Sequence, residues 1–191
     1  MIEELKKCIE ELKTVDMKKI DNNSFLSIES YLCTLNNGCT IPREKILKNN
    51  GNGSAVIIFP ITTDNKVILS VEPRVFTKRT VDVGFPAGYM EENEEPIISA
   101  KRELLEETGY SSDELIFLGK FYQDQGNSSA LNHYYLAKNC IKTSDQKLDK
   151  DEFVKYILVP PEELDFLIEN NYITGLNSAF LYEKGKQYLR R

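Results

Sequence analysis

Residues 88–110 read Gly-Tyr-Met-Glu-Glu-Asn-Glu-Glu-Pro-Ile-Ile-Ser-Ala-Lys-Arg-Glu-Leu-Leu-Glu-Glu-Thr-Gly-Tyr, and the rest of the chain is organised around them. Pro96 suits the first turn of a helix, where its missing N–H costs nothing. Gly109 suits the position just past a helix end, where a left-handed backbone is needed. Between them lie Ile97, Ile98, Ala100, Leu104 and Leu105; Ile97 and Leu104 share one apolar stripe, which Ile98 and Leu105 widen. The other face carries Glu103, Glu106 and Glu107, whose spacing makes their side chains neighbours. Three carboxylates on one patch repel one another, and Arg102 alone cannot neutralise them.

Two readings of that patch compete. A run of acidic residues is usually a solvated face, because hydration and salt screen exposed charge cheaply. Alternatively, it is a site for a hard cation such as Mg²⁺, which takes oxygen ligands and shares them with substrate phosphates and water. The spacing also suits two metals bridging a diphosphate. The full pattern decides. It runs Gly88, five residues, Glu94, seven residues, Arg102-Glu103-Leu104, one residue, Glu106-Glu107, one residue, Gly109, and then Tyr110. This resembles the Nudix box at every fixed position. Tyr110 departs mildly, since the last position is usually aliphatic.

The chain has 191 residues, long enough for one domain with a small appendage and a substantial core. Its hydrophobic content of 41% and charged content of 28% are those of a globular protein. The net charge is −6 without a basic tract, which argues against duplex nucleic acid as a partner. An anionic substrate must therefore arrive with metal or meet a local arginine or lysine. Cys8, Cys33, Cys39 and Cys140 form no close pair, and His133 is the single histidine, so a zinc site is not expected. The cysteines read as reduced, mostly buried thiols of a cytoplasmic protein. No apolar run reaches membrane-spanning length, and the charged N-terminus lacks the apolar core of a signal peptide.

Residues 2–20 read as an amphipathic helix, with Leu5, Ile9, Leu12 and Ile20 on its stripe and Cys8 and Val15 beside them. It either docks on the core or makes a dimer contact. A break at 21–24 suggests a boundary, dividing the chain into a helix over 1–23 and a main domain over 24–191. Asn37-Gly38 joins strands over 25–35 and 40–47 into a hairpin, so 24–50 is an antiparallel extension. Further strands are expected over 55–61, 67–71, 80–85, 114–122, 132–137 and 153–159, with 139–151 as loop. Helices are expected over 161–170 and from 173 onward. The pattern predicts an α+β fold, an α/β/α sandwich with helices covering a central mixed sheet. The Nudix resemblance implies the same architecture.

The resemblance extends beyond the box to the branch that cleaves ADP-ribose and nucleoside-diphosphate sugars. Phe85-Pro86-Ala87-Gly88 is similar to that branch's entry into the box, and Val67–Arg74 looks like its strand ending in arginine. Asp151-Glu152-Phe153 and Pro160–Leu164 fit as well. Carried over, the resemblance implies divalent metal, Mg²⁺ or Mn²⁺, held by Glu103, Glu106 and Glu107 with the Ala87 carbonyl. It implies that Arg102 pairs with Glu94, while Gly88 and Gly109 shape the motif. It also implies a homodimer. Arg74 is a candidate phosphate or ribose contact, or else a surface arginine at a strand end. Arg79 and Lys78 are similar, and Phe85, Ala87 and Gly88 border the expected substrate site. His133 either touches substrate or is a satisfied, partly buried histidine.

One departure concerns the loop past the box. Relatives acting on ADP-ribose carry a proline, then glycine and a glutamate there. This chain has Gln125-Gly126 with neither proline nor glutamate. The general base is therefore open between Asp124, Glu152 and a water activated by Glu106. The activity implied is pyrophosphohydrolysis of a nucleoside diphosphate sugar, ADP-ribose foremost. Alternatives are ADP-glucose, UDP-glucose, a dinucleoside polyphosphate or a nucleoside triphosphate, and a non-catalytic nucleotide sensor.

Overall fold

A computed structural model describes residues 1–19, 25–48 and 51–189. Helix α1 (Ile2–Leu12) precedes a hairpin of β1 (Leu26–Thr34) and β2 (Thr40–Lys48). Then come β3 (Ala55–Thr62), β4 (Val67–Pro73), β5 (Val81–Gly84), β6 (Ala87–Tyr89) and α2 (Pro96–Thr108). The chain continues through β7 (Tyr110–Ser111), β8 (Glu114–Tyr122), β9 (Leu131–Lys142) and β10 (Lys155–Val159). A 3-10 turn (Pro161–Glu163) leads into α3 (Leu164–Glu169), and α4 (Leu176–Gly185) ends in a second 3-10 turn (Lys186–Tyr188).

The central sheet runs β10-β4-β3-β9-β7, with β5 on β4, β6 on β3 and β8 on β9. It is mixed: β3 and β9 are parallel, and the other pairs are antiparallel. The continuous apolar run of β3 explains its central place, because a strand covered on both faces needs no polar side. Ile57, Phe59 and Ile61 face a cluster with Leu5, Ile9, Leu164, Leu167 and Leu181. Val56 and Ile58 face the other way, onto Ala100 and Leu104 of α2. The result is the sandwich of helices around a mixed sheet that the pattern predicts.

Several expectations need correction. The first helix ends at Leu12, not Ile20: Leu5 and Ile9 are buried, but Val15 is 97% exposed, so nothing extends the stripe. Ile20 and the break at 21–24 lie outside the described residues. Helix α1 docks on the core, and Lys155 of β10 pairs with Glu11. Strand β9 continues to Lys142, into the stretch expected as loop, because its end pairs with β7. Of the four thiols only Cys140 is buried; Cys8 and Cys33 are half-buried and Cys39 is exposed. Burial pushes the Cys140 thiol up to about 12. Among the described residues, no helix is long and apolar enough to cross a membrane.

The β1–β2 hairpin forms its own two-stranded sheet. The register sets Leu26, Ile28 and Leu32 of β1 opposite Lys48, Ile46 and Pro42 of β2. Residues directly opposite share a face. Ser30 and Glu44 pair on the same face between them; Ile28 is 65% and Leu32 72% exposed, so the apolar side chains of this mixed face are uncovered within one chain.

Candidate active site

Helix α2 departs from its sequence pattern in the way that builds the site. Ile97 and Ile98, expected on the buried stripe, are exposed. The buried face is Ser99, Ala100, Glu103, Leu104, Glu107 and Thr108. Ala100 and Leu104 reach the sheet at i and i+4, and Glu103 and Glu107 repeat that spacing three residues later, on a neighbouring strip of the helix. Docking the small apolar pair therefore carries two carboxylates inward, leaving Glu103 7% and Glu107 5% exposed. Pro96 opens the helix, and Gly109 closes it in the left-handed region at φ 71°, its N–H donating to the Leu105 carbonyl.

Gly88 on β6 has no room for a side chain. A Cβ there would lie 2.0 Å from the Glu103 carboxyl carbon. Next to it, the Ala87 N–H donates to Glu107 Oε2 at 3.3 Å. The glycine thus lets the backbone of β6 pass directly over the helix carboxylates.

Arg102 organises the rest. Its Nε and Nη2 grip both oxygens of Glu94 at 3.0 and 2.9 Å. Its Nη1 donates to Glu103 at 2.8 Å and Glu106 at 3.1 Å. Nη2 also donates to the Tyr89 carbonyl and the Ser99 hydroxyl. The guanidinium holds Glu94 down at about 2. Glu103 moves the other way, up to about 7: desolvation outweighs the pull of Arg102, and Glu106 and Glu152 add repulsion. Glu107 is raised well above the usual carboxylate range by burial, then by Glu72 and Glu103. Glu72 is raised by burial despite its 2.7 Å contact with Arg74.

These groups line a cavity of about 1130 Å³ bounded by β2, β4, β6, α2, His133 and the stretch 149–154. Glu94, Arg102, Glu103, Glu106, Glu107, Arg74, Ala87, Gly88, His133 and Glu152 all border it. Burial and Lys120 hold His133 below its ordinary value, which favours the neutral imidazole.

Three expected site residues lie elsewhere. Arg79 is committed to the carbonyls of Val81, Asn171 and Tyr172. The Phe85 ring packs in the core, 4.4 Å between centroids from Phe59. Asp124 accepts from the Gly126 N–H and closes its own turn, and the carbonyl of Asn127 in that loop accepts from Ile46 of β2. Of the two carboxylates considered as base, only Glu152 borders the cavity.

Glu72 and Lys48 are charged cavity residues to which the sequence reading assigns no role. Glu72 precedes Arg74 by two, so strand alternation puts both on one face, and that spacing was its available signal. Lys48 ends β2, donates to Gln123 Oε1 at 2.7 Å and lies 5.9 Å from the Tyr89 ring centroid. Nothing near Lys48 in sequence points to the cavity.

Among the described residues no group of carboxylate, imidazole or thiol side chains closes on a common metal position as placed. Glu103 and Glu106 turn to Arg102, and Glu107 to the Ala87 amide. The donor chemistry nevertheless fits a hard divalent cation. The donors are carboxylate oxygens, burial and mutual repulsion disfavour the charge of Glu103 and Glu107, and a cation beside them would relieve both effects.

A sandwich with this acidic helix against its sheet defines a family. The model described as NUDIX domain matches residues 51–175, and the chain belongs to the NUDIX family. It is 33% identical over 175 residues to the ADP-ribose pyrophosphatase of Bacillus subtilis (strain 168), covering 91% of each chain. It is 34% identical over 161 residues to the methanol dehydrogenase activator of Bacillus methanolicus, covering 83% of this chain and 84% of that one. A crystal structure described as an ADP compounds hydrolase superimposes with a TM-score of 0.74 at 23% identity over 92% of both chains, a likeness of fold.

Proposed function

We propose that this NUDIX pyrophosphatase is an Mg²⁺-dependent enzyme that cleaves the diphosphate of a nucleoside diphosphate sugar, ADP-ribose foremost, to a nucleoside monophosphate and a sugar phosphate. One observation carries the reading: a helix buries Glu103 and Glu107 against a glycine backbone at the wall of an open cavity. A protein that needed only a stable helix would bury apolar groups there. The relative that cleaves ADP-ribose supports the substrate class.

Glu103, Glu106 and Glu107, with the Ala87 carbonyl, would hold the cation. When bound, it supplies charge neutralisation to the diphosphate. The chain's own residues do the rest. Arg102 fixes Glu94 and restrains Glu103 and Glu106, so the helix and the loop before it move as one unit. Arg74, half exposed at the rim, offers a planar fork to a phosphate oxygen. Lys48 supplies a second positive charge at the cavity wall. Glu152 is the general base, accepting a proton from the attacking water at its carboxylate. Residues 24–191 form the catalytic unit on this reading, with the N-terminal helix docked onto it.

The exposed Leu26, Ile28 and Leu32 on the hairpin support a homodimer in which a second copy covers them. Sedimentation analysis should give twice the chain mass, and Leu32→Glu should shift it toward the monomer.

A substrate panel with Mg²⁺ and with Mn²⁺, read by chromatography, tests the activity. It should include ADP-ribose, ADP-glucose, UDP-glucose, GDP-mannose, a diadenosine polyphosphate and the nucleoside triphosphates. The reading expects monophosphate and sugar phosphate from a sugar nucleotide, abolished by EDTA. Turnover restricted to triphosphates would overturn the substrate class.

A further inference from the structure

The last turn of α2 leaves four carbonyls without helical partners. The Leu105 carbonyl takes the Gly109 N–H. The other three are satisfied from a distant segment: Glu106 by the Lys147 N–H at 2.9 Å, Glu107 by the Gln146 side chain, and Thr108 by Lys142 Nζ at 2.8 Å. Residues 142–147 therefore cap the catalytic helix in place of its own chain.

Gln146 does more than cap. Its Nε2 also donates to the Val154 carbonyl at 3.1 Å. A carboxamide nitrogen carries two hydrogens, and both are used here on carbonyls. One carbonyl belongs to Glu107, whose carboxylate is the most deeply buried of the acidic set. The other lies two residues past Glu152. Gln146 thus ties together both ends of the segment 147–153, which brings Asp149, Asp151 and Glu152 to the cavity. Within that segment the Glu152 N–H donates to the Asp149 carbonyl, and the Asp149 N–H to Glu152 Oε2. A glutamate at 146 has the same shape, but it lacks both donors and would set an anion against two carbonyl oxygens.

We propose that Gln146 is a positioning residue for the hydrolysis: it clamps the Glu152 loop to the carbonyl of Glu107 and so fixes the base relative to the acidic helix. The proposal rests on the hydrolase reading and on Glu152 as its base. A displacement of about 1 Å in such a group costs on the order of a hundredfold in rate.

The test compares wild type, Gln146→Glu, Gln146→Ala, Glu152→Gln and the double variant Gln146→Glu/Glu152→Gln. Two readouts are taken: amide hydrogen exchange by mass spectrometry, and steady-state hydrolysis of ADP-ribose with Mg²⁺. Both Gln146 variants should speed exchange across 147–153 and leave residues 2–12 unchanged. They should lower kcat roughly 10- to 100-fold with KM within about twofold. The double variant should be no slower than Glu152→Gln alone, because the clamp acts through that carboxylate. Unchanged exchange across 147–153 overturns the clamp. So does a lowered melting temperature with kcat intact, which would leave Gln146 a helix cap only, and so do losses that multiply in the double variant. Full turnover by Glu152→Gln overturns the assignment of the base, and the proposal with it; that outcome is distinguishable because the Gln146 variants need not be inspected to reach it.

Discussion

Helices α1 and α2 are similar in length, at 11 and 13 residues, and pack on opposite faces of one sheet. Helix α1 follows the amphipathic rule. It buries Leu5 and Ile9 and sets Lys6 beside Glu3, Lys7 beside Glu11 and Lys13 beside Glu10 on its solvent face. Helix α2 breaks the rule in both directions, exposing Ile97 and Ile98 and burying Glu103 and Glu107. Burying a carboxylate opposes folding unless a partner compensates, and among the described residues Arg102 bonds Glu103 and the Ala87 amide bonds Glu107. The difference separates a helix selected for docking from one that carries chemistry. Stability set aside at one site and kept at another is the expected mark of function.

The largest expected effect is at Glu107. Glu107→Gln should abolish most turnover, on the order of a thousandfold, because the proposed cation would lose one of its carboxylates. In EDTA the same variant should melt above wild type, since a neutral amide is cheaper to bury. Glu106→Gln combined with Glu107→Gln separates the enzyme from a nucleotide sensor: ligand affinity unchanged in the pair, with no turnover in wild type either, would favour the sensor. Gly88→Ala comes next. Its Cβ would collide with the Glu103 carboxylate, so activity should fall at least tenfold while circular dichroism stays that of a folded protein.

On the other face, Leu5→Ala should destabilise by about 3 kcal/mol through cavity formation and leave kcat unchanged. Equal losses of stability and of kcat at Leu5 would erase the contrast between the helices.

Glu94 gives a pH handle of opposite sign to the buried pair. Its folded value, near 2, lies below the ordinary carboxylate value near 4.5. Its stabilisation is therefore present above about 4.5 and lost as pH falls toward 2. Denaturant titrations of wild type and Glu94→Gln should converge across that window. The smallest effect is at the exposed Lys6–Glu3 pair, where Lys6→Ala should leave the melting temperature within error.

Much of this was legible in the chain. Residues 88–110 marked the helix, its proline start and glycine stop, and the acidic spacing, because local chemistry dictates all of them. The apolar run at 55–61 announced a strand covered on both faces. Which face of α2 turns inward was not legible, since Ile97 and Ile98 outweigh Ala100 on any hydropathy count. That choice is made by the sheet, where the small Ala100 and the glycine backbone at Gly88 allow close approach. Lys48 and Gln146 were also hidden. Each reaches the site from a segment distant in sequence, the first carried by the hairpin and the second by the capping loop. Asp124 misled for the converse reason: its loop bonds to β2 instead of facing the cavity.

The account turns on whether the buried acidic face exists to hold a cation. The most direct measurement is the melting temperature of wild type and Glu107→Gln, each in EDTA and in millimolar Mg²⁺. The account predicts that the variant melts higher in EDTA, and that Mg²⁺ raises wild type but not the variant. A variant that melts lower in EDTA, or an equal rise of both with Mg²⁺, would contradict it.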